Sequence, residues 1–348
     1  ETPSCWLHPS LQIPLKEVSD QGDISPWPKI TIITPSFNQG HFIEDTILSI
    51  VEQGYPNLEY IIMDGGSTDE TIDILHAYTD QITYWESQRD NGQSHAINKG
   101  AEKATGDIIQ WINSDDLLLP GSLETVAKAL MEDPNIEMVA GKAIKFGEGR
   151  AEQTVPRKKE YADFEAFLFE AWYMQPACFF RGDVFKQLMP LNEALNYTMD
   201  TDMFVRYFLL SGKDRIKHIE TPLLRFRMHD ESKTFSSQLK FYSERMLIDL
   251  NTLRSCGITP PKELGNVVEK TLNLPNYRVS KQVNTARLKA AFHQKWGAWI
   301  SDPSKRFREV ADHAGLHGDK QTMRKFSWKA ILANPIKVLN YRYWLHTF

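Results

Sequence analysis

The sequence predicts an α/β fold in which a mainly parallel sheet carries helices on both faces. Short apolar or β-branched runs, such as KITIIT at 29–34 and LEYIIM at 58–63, alternate with segments whose apolar residues have helical spacing. This alternation of strand and helix is typical of parallel sheets. With 348 residues, 41% of them hydrophobic and 24% charged, the chain is long enough for about two domains.

Each predicted strand of the first half is followed by a predicted helix. The pairs are 29–34 with a helix from His41, 58–63 with 70–78, 82–87 with 94–104, and 107–112 with 122–132. Beyond residue 134 the pattern is mixed, with strands predicted at 136–146 and 221–229 and a helix at 200–212.

The chain divides into three regions by pattern. Residues 1–28 are irregular and rich in proline, which indicates an N-terminal arm. The α/β pattern fills 29–236 and predicts the catalytic or binding domain. Residues 237–348 have helical periodicity interrupted by prolines and predict a helical C-terminal appendage.

Charge and cysteine usage exclude several classes of protein. The net charge of -5 gives no indication of a nucleic-acid partner. The three cysteines, Cys5, Cys178 and Cys256, are far apart and form no C-x-x-C pair, which argues against a disulfide framework or a zinc knuckle. No run approaches the roughly 18 apolar residues of a membrane span. A cytoplasmic protein is therefore expected.

Four polar loops follow the predicted strands and are expected to meet. They are TPSFN at 34–38, DGGSTD at 64–69, RDNGQ at 89–93 and NSDD at 113–116. In open α/β sheets, ligands bind in the crevice beyond the carboxyl ends of the strands. The sequence therefore predicts a ligand site lined by these loops.

The loop after the second strand is chemically suited to a nucleoside. Asp64 follows an apolar strand directly, and a carboxylate fixed there is an acceptor for an imide N–H or a ribose hydroxyl. The alternative is an ordinary turn in which Asp69 caps the next helix. The first strand leads into TPSFN, without the glycine-rich cradle of a nicotinamide enzyme. The segment from Asp90 to Gln93 either faces the same crevice or only turns the chain.

The adjacent carboxylates Asp115 and Asp116 predict a divalent cation. Asp116 has an ordinary explanation as a turn or cap ahead of Pro120, whereas Asp115 has none. Two neighbouring carboxylates repel at a strand end unless a hard cation compensates them. Mg²⁺ or Mn²⁺ held by one or two carboxylates completes its octahedron with water and phosphate oxygens, which implies a nucleoside diphosphate.

Taken together, the motifs resemble those of the family 2 glycosyltransferases with the GT-A fold. The stretches that carry the resemblance are TIITPSFNQGHF, IIMDGGSTDETIDIL, DNGQSHAINKGAEKATGDIIQWINSDDLLLPG, MDTDMFVR and RFRMHDES, which occur in the family's order between residues 29 and 236. The resemblance implies a Rossmann-like, mostly parallel sheet, a nucleotide-sugar donor, a divalent cation, and transfer with inversion at the anomeric carbon. By family frequency the donor is a UDP-sugar.

The resemblance assigns the donor site residue by residue. Loop positions beside the nucleoside are matched by Thr34, Pro35, Ser36 and Asn38. Asp64 matches the carboxylate that reads the base, and Asp90 and Gln93 border the ribose and diphosphate. Where the family commonly has D-x-D, this chain has Asn113-Ser114-Asp115, so that Asn113 and Ser114 line the nucleotide and Asp115 is the metal ligand.

The resemblance also implies the catalytic group. Asp200 of MDTDMF matches the family's catalytic base, and Asp202 remains an alternative. Asp200 would also suit a helix cap. His229 matches a position that approaches the metal or diphosphate, although a lone histidine is often structural.

The acceptor is expected to be a glycan or a lipid-linked glycan hydroxyl. The segment FEAWYMQPACFF at 169–180, with Trp172, Tyr173 and Gln175, is either an acceptor platform or aromatic core. The tail at 325–348 interleaves aromatic and aliphatic residues with lysine and arginine. It is suited to the inner face of a membrane, or to packing on the catalytic domain or on a second subunit of a homo-oligomer.

Two other functions fit part of the pattern. A metal-dependent nucleotidyltransferase or sugar-nucleotide hydrolase would need a basic, glycine-rich loop after the first strand, which the sequence lacks. A non-catalytic nucleotide-sugar or glycan-binding module would be favoured if positions 115 and 200 held apolar residues. Both positions hold carboxylates, Asp115 and Asp200.

Overall fold

The computed structural model describes residues 27–155, 161–229, 238–260 and 274–301. The strands are β1 Ile30–Ser36, β2 Leu58–Asp64, β3 Tyr84–Ser87, β4 Ile108–Trp111, β5 Leu117–Leu118, β6 Met138–Gly147, β7 Arg150–Thr154, β8 Cys178–Arg181 and β9 Ile216–Arg227. The helices are α1 Gly40–Val51, α2 Thr71–Ala77, α3 Gln93–Lys103, α4 Ser122–Glu132, α5 Phe164–Glu170, α6 Gly182–Leu188, α7 Met199–Ser211, α8 Gln238–Ser255 and α9 Thr285–Ser301.

The strands of the described residues form one curved sheet in the order β3-β2-β1-β4-β8-β6-β9-β5, with β7 on β6. The four strands β1 to β4 pair in parallel, as the alternation with helices predicts. Beyond β4 the pairing is mixed, because β8 is antiparallel to both β4 and β6 while β6 and β9 are parallel. The predicted α/β fold class is confirmed.

The first strand extends further than its sequence pattern indicates. Residues Thr34 to Ser36, expected in the first loop, continue β1 because they pair with Ile62 to Asp64 of β2. Pro35 fits here because β4 ends opposite Ile33, so that its missing N–H faces no strand on that side. The crevice therefore begins at Phe37.

Apolar side chains cover both faces of the sheet. One cluster joins α1 and α4 to the sheet and includes Ile32, Ile47 and Leu123. The cluster on the other face joins α3, α5 and α7 to the sheet, and it also contains Leu247 of α8 and Trp296 of α9. The two C-terminal helices thus share the core of the sheet, and a domain boundary at 236 stays a prediction.

Two predicted regions lie mostly or wholly outside the described residues. The N-terminal arm at 1–28 is described only from Trp27, and the tail at 325–348 lies outside the described residues. Among the described helices, none combines the length and apolar character needed to cross a bilayer.

Candidate nucleotide, metal and catalytic site

The four predicted loops meet at one edge of the sheet, because they follow the parallel strands β1 to β4. Hydrogen bonds tie the strand ends together: Gly65 N donates to the Ser36 carbonyl at 2.8 Å, and Gln88 N donates to the Asp64 carbonyl at 2.9 Å. At the next strand, Ile112 N donates to the Ile33 carbonyl at 2.9 Å. The loops therefore emerge from a fixed frame.

The loops after β1 and β2 are joined by Asn38. Its N–H donates to Ser67 Oγ at 2.7 Å, and its Oδ1 accepts from Thr68 N at 2.9 Å. Asn38 has φ of 50°, a left-handed conformation that asparagine tolerates better than most residues. The side chain of Asn38 thus shapes the crevice wall.

The carboxylate of Asp64 is fully engaged by its own surroundings. It accepts from Gly66 N at 3.0 Å, from Ser67 N at 2.8 Å and from Ser67 Oγ at 2.5 Å. A fourth bond comes from Ser87 Oγ at 2.6 Å, and Asp64 is only 2% exposed. A carboxylate has about four acceptor positions, so Asp64 here organises the loop. Three of the four bonds go to Oδ2, so a base contact from Asp64 would be made through Oδ1, which accepts only from Ser67 Oγ among the described residues.

The third loop packs closely on the second. A Cβ at Gly65 would lie 3.0 Å from Asp90 Oδ2, so glycine is what permits this approach. Asp90 Oδ1 accepts from Gly92 N at 2.7 Å. Gln93 Nε2 donates to Asn113 Oδ1 at 2.8 Å and so links the third loop to the fourth. The structure therefore brings Asp64, Asp90, Gln93 and Asn113 to one rim, in which Gln93 and Asn113 are hydrogen-bonded to each other.

The acidic segment after β4 is held by Arg227 at the end of β9. Arg227 donates from Nε to the Asp115 carbonyl at 2.9 Å and from its backbone N to Asp116 Oδ1 at 3.1 Å. It also pairs with Asp45 of α1 at 2.9 Å. Asp116 is fully buried, and burial followed by the nearby charge of Asp115 raises the pKa of its carboxyl well above the usual value. Asp116 is therefore an internal anchor and does not cap α4, which begins after Gly121.

Asp115 and His229 form the candidate metal pair. Asp115 Oδ2 and His229 Nε2 lie 3.0 Å apart, and their side chains are 22% and 18% exposed. Adjacent ligands of an octahedral ion at about 2.1 Å are themselves about 3.0 Å apart, so the spacing fits Mg²⁺ or Mn²⁺. No group of three or more metal-ligating side chains occurs in the described part of the chain. Substrate oxygens or water would complete the coordination.

The remaining nucleotide candidates divide into buried and exposed positions. Thr34 is buried with its hydroxyl 3.2 Å from Tyr60 Oη, and Pro35 and Ser114 are also buried. Ser36 Oγ is buried and has no hydrogen-bond partner among the described residues. Phe37, which sequence reasoning did not single out, is 58% exposed directly beyond β1. The sequence signal that could have identified Phe37 is its position between the candidate residues Ser36 and Asn38.

The two candidate bases at the start of α7 differ in their surroundings. Asp202 is buried, with Oδ2 accepting from Arg206 Nε at 2.8 Å and Oδ1 accepting from Tyr277 Oη at 2.5 Å. Asp200 is partly exposed and accepts only from its neighbour Thr201, at 2.6 Å from the backbone N. Burial raises the pKa of Asp200, against the opposing effects of Thr201 and Arg245. Among the described residues, the Asp200 carboxylate thus has fewer partners than that of Asp202.

Glu244 of α8 fixes the position of α7, and sequence reasoning did not find it. Its carboxylate accepts from the backbone N–H groups of Asn196, Tyr197 and Thr198 at 2.9–3.0 Å, and from the Thr198 hydroxyl at 3.0 Å. Glu244 is 2% exposed. A glutamate inside a helical pattern gives no sign of such a contact 46 to 48 residues away.

The same fold is found in a solved glycosyltransferase. S. aureus TarS 1–349, solved in complex with UDP, superimposes with a TM-score of 0.54 at 15% identity. The match covers 90% of this chain and 93% of that chain. The likeness establishes the fold, and the fold class is that of the GT-A glycosyltransferases.

Sequence comparisons point to the same class of protein. Residues 31–189 match the model described as "Glycosyl transferase family 2". An uncharacterized glycosyltransferase of Rickettsia typhi is 25% identical over 60% of this chain and 66% of its own length. A Bacillus subtilis glycosyltransferase named for teichuronic acid biosynthesis, TuaG, is 37% identical over 30% of this chain and 43% of its own length. The family match therefore covers a little under half of the chain, and the chain spans about two thirds or less of these two relatives.

Proposed function

We propose that the protein is a metal-dependent, inverting glycosyltransferase that moves a hexosyl group from a nucleotide sugar to an acceptor hydroxyl. The observation that carries the proposal is the convergence of the four loops on the partly exposed Asp115–His229 pair. Such a pair beside a polar crevice suits a cation that is shared with a diphosphate. TarS was solved with UDP, which supports a uridine donor for a protein of the same fold.

The nucleoside is proposed to lie against Phe37 and Asn38, where the crevice wall is exposed. Phe37 offers a flat apolar surface, and the orphaned Ser36 Oγ offers hydrogen-bonding capacity nearby. The diphosphate is proposed to lie near the start of α3, which has no side-chain cap and follows Gly92. Unpaired N–H groups at a helix start attract anions.

The proposed chemistry is a single displacement. Asp200 removes the proton from the acceptor hydroxyl as that oxygen forms a bond to the anomeric carbon, while the bond to the nucleoside diphosphate breaks on the opposite face. A raised pKa makes Asp200 a stronger base than an ordinary aspartate, provided the pH keeps it ionised.

A divalent cation bound by Asp115 and His229 would stabilise charge on the departing diphosphate. Arg227 keeps the Asp115 backbone in place through its bond to the carbonyl oxygen. Phe42 packs on the His229 ring with the centroids 4.7 Å apart and restricts its orientation. Both contacts favour a preformed metal pair.

The acceptor is proposed to be a glycan or a lipid-linked glycan, as befits a relative of TuaG, which is named for teichuronic acid biosynthesis. We further propose that the enzyme is cytoplasmic and that the tail at 325–348 brings it to the inner face of the membrane. In the alternative proposal, the tail packs on a second subunit and the protein is a homo-oligomer.

Calorimetry with UDP, TDP and GDP tests the donor and metal site together. We expect one diphosphate to bind with Mn²⁺ or Mg²⁺, to bind much more weakly with EDTA, and to lose its metal dependence in Asp115→Ala and His229→Ala. Glu124→Ala, an exposed change on α4, is the matched control. Equal binding of all three nucleotides with EDTA, unaffected by either site variant, would exclude the metal assignment.

A product assay tests the reaction class. Incubation with the corresponding nucleotide sugar and Mn²⁺ should yield a new glycoside whose anomeric configuration is opposite to that of the donor, as NMR would detect. A product with retained configuration would refute single displacement. Release of free sugar alone, at a rate unaffected by any glycan acceptor, would favour the hydrolase.

A further inference from the structure

A shallow, open hollow of about 30 Å³ lies between β6 and β9 and is bordered by the segment 172–174. Its wall includes Gly141, Lys142, Trp172, Met174, Ile219 and Glu220. It lies apart from the four loops that form the candidate nucleotide site.

The hollow results from an irregularity in strand pairing. Ala140 pairs with His218, but Lys142 pairs with Pro222, so that one residue of β6 lies opposite three of β9. The extra length of β9 bends away from β6, and bulges of this kind are common beside active sites. A Cβ at Gly141 would lie 2.5 Å from Leu223 Cγ, so glycine at this position keeps the two strands close.

Trp172 is the exposed element of the hollow. Its indole is 53% exposed although Ala171 and Tyr173 on either side are buried. The Tyr173 hydroxyl lies 3.0 Å from His218 Nε2, and the two rings stack with centroids 5.8 Å apart. The backbone on either side of Trp172 is therefore fixed by buried neighbours. The Trp172 side chain points to solvent from this fixed position. Exposed tryptophans on rigid backbone are typical of binding surfaces.

The rest of the rim is polar. Lys142 Nζ and Glu220 form an ion pair at 2.6 Å, with side chains 30% and 63% exposed. The hollow thus has apolar walls, one flat aromatic ring and a charged pair at its edge. A pyranose ring has the complementary chemistry, because it presents a face of C–H groups and an edge of hydroxyls.

The hollow is connected to the candidate base and to the donor loops by the segment 174–178. Cys178 Sγ donates to the Met174 carbonyl at 3.3 Å, and burial followed by the nearby Asp200 carboxylate raises the pKa of the Cys178 thiol. Gln175 Nε2 donates at 3.0 Å to the carbonyl of Trp111, the last residue of β4. Cys178, at the far end of this segment, therefore lies near enough to Asp200 to be affected by its charge.

We propose that a sugar ring of the acceptor glycan lies on the protein surface over this hollow, with the Trp172 indole against its C–H face and the Lys142–Glu220 pair hydrogen-bonded to its hydroxyls. The proposal rests on the proposed function, since only a transferase has a sugar acceptor to place beside its base. A lipid chain in the hollow would leave the charged pair without a role. Gln175 does not face a ligand in this scheme, because it is buried in a hydrogen-bonded core position, whereas Tyr173 borders the hollow beside Trp172.

Fluorine NMR of the full chain labelled with 5-fluorotryptophan tests the proposal. The resonance missing from Trp172→Phe identifies Trp172. We expect that resonance to shift in a saturable manner with at least one of the methyl glycosides of glucose, mannose, N-acetylglucosamine and rhamnose, in the presence of UDP and Mn²⁺. Hexanol serves as the aliphatic probe and should give no saturable shift.

Affinity measurements on variants complete the test. Trp172→Ala should weaken glycoside binding about tenfold, as expected on losing one aromatic contact, and Trp172→Phe should weaken it less. Met131→Ala, which removes a 55% exposed side chain on α4, is the matched control and should bind glycosides like the wild type. UDP affinity in the same samples reports whether each variant is folded.

Two results would overturn the proposal: no saturable shift of the Trp172 resonance with any glycoside, or a shift with hexanol alone. Equal glycoside affinity of wild type and Trp172→Ala would overturn it as well. Failure of the proposed function is recognised separately, because the wild type would then bind none of UDP, TDP and GDP with Mn²⁺.

Discussion

Replacing Glu244 with alanine is expected to loosen the start of α7, where Asp200 lies. The Glu244 carboxylate accepts three backbone N–H bonds and one hydroxyl bond from residues 196–198. Thr198 is 3% exposed, so its N–H and hydroxyl would lose their partner without gaining water. Asn196 is exposed and would be solvated instead.

The magnitude follows from the two buried donors. A buried donor left without a partner costs about 1–3 kcal/mol, so Glu244→Ala should lower the free energy of unfolding by about 2–6 kcal/mol. That is a large share of the roughly 5–15 kcal/mol that stabilises a typical domain. Glu244→Gln keeps one acceptor oxygen and should cost less.

Urea denaturation at neutral pH measures both variants. Glu124→Ala provides the control, because Glu124 is half-exposed and its ion pair with Lys128 on α4 contributes about 0.5 kcal/mol or less. Turnover of Glu244→Gln should fall more than its UDP affinity, since the change acts on the segment before Asp200. If Glu244→Ala unfolds within 1 kcal/mol of the wild type, the four bonds do not hold this segment and the reasoning is refuted.

The remaining predictions concern the base, the nucleoside and the tail. Asp200→Asn should lower turnover by about 10² or more while UDP affinity is kept, and turnover kept in that variant but lost in Asp202→Asn would move the role to Asp202. Because the pKa of Asp200 is raised, activity should decline with falling pH at a higher pH than an ordinary aspartate would give, and Asp200→Asn should remove that limb of the profile. Phe37→Ala should weaken nucleoside diphosphate binding about tenfold, by analogy with base stacking worth about 1–3 kcal/mol. Phe37→Tyr keeps the ring and should bind normally. Calorimetry measures both variants, and unchanged binding in Phe37→Ala would contradict the stacking. Deletion of 325–348 should reduce co-sedimentation with anionic vesicles, and equal co-sedimentation would exclude the tail as the anchor.

Local patterns predicted the first half of the fold well. Helix α4 has the predicted bounds of 122–132, and the loops after β1 to β4 converge as the parallel arrangement requires. These features follow from periodicity within one segment and from the rule for strand ends. The extension of β1 to Ser36 was not predicted, because it depends on pairing with β2. Antiparallel β8 was likewise missed, since its four residues lie in a segment whose aromatic pattern also fits a buried loop.

The sequence named candidate residues for the site but did not predict the contacts that position them. Pattern and resemblance named Asp115, His229 and Asp200. They gave no sign that Asp64 would accept a hydrogen bond from Ser87 of β3, or that Arg227 would donate to the Asp115 carbonyl 112 residues away. Contacts at such separation depend on how the sheet curves, and no local periodicity carries that information.

The surroundings of Asp200 explain why the C-terminal helices share the core of the catalytic sheet. A carboxyl whose folded pKa is raised by burial binds its proton more tightly when folded, so its favourable effect on stability is present below the unfolded pKa and is lost as pH rises through the folded value. At neutral pH the ionised base therefore destabilises the start of α7, and Asp200→Asn should raise the thermal unfolding midpoint of the protein.

Glu244 of α8 offsets that destabilisation by fixing the backbone before α7, and Arg245 opposes the raised pKa with its charge. Arg245 is itself held by Asp249 at 3.0 Å and by the carbonyls of Leu168 and Phe169. Helix α8 thus acts as a scaffold for the base, which is a reason for the core to run without interruption from the sheet into the helices beyond residue 237.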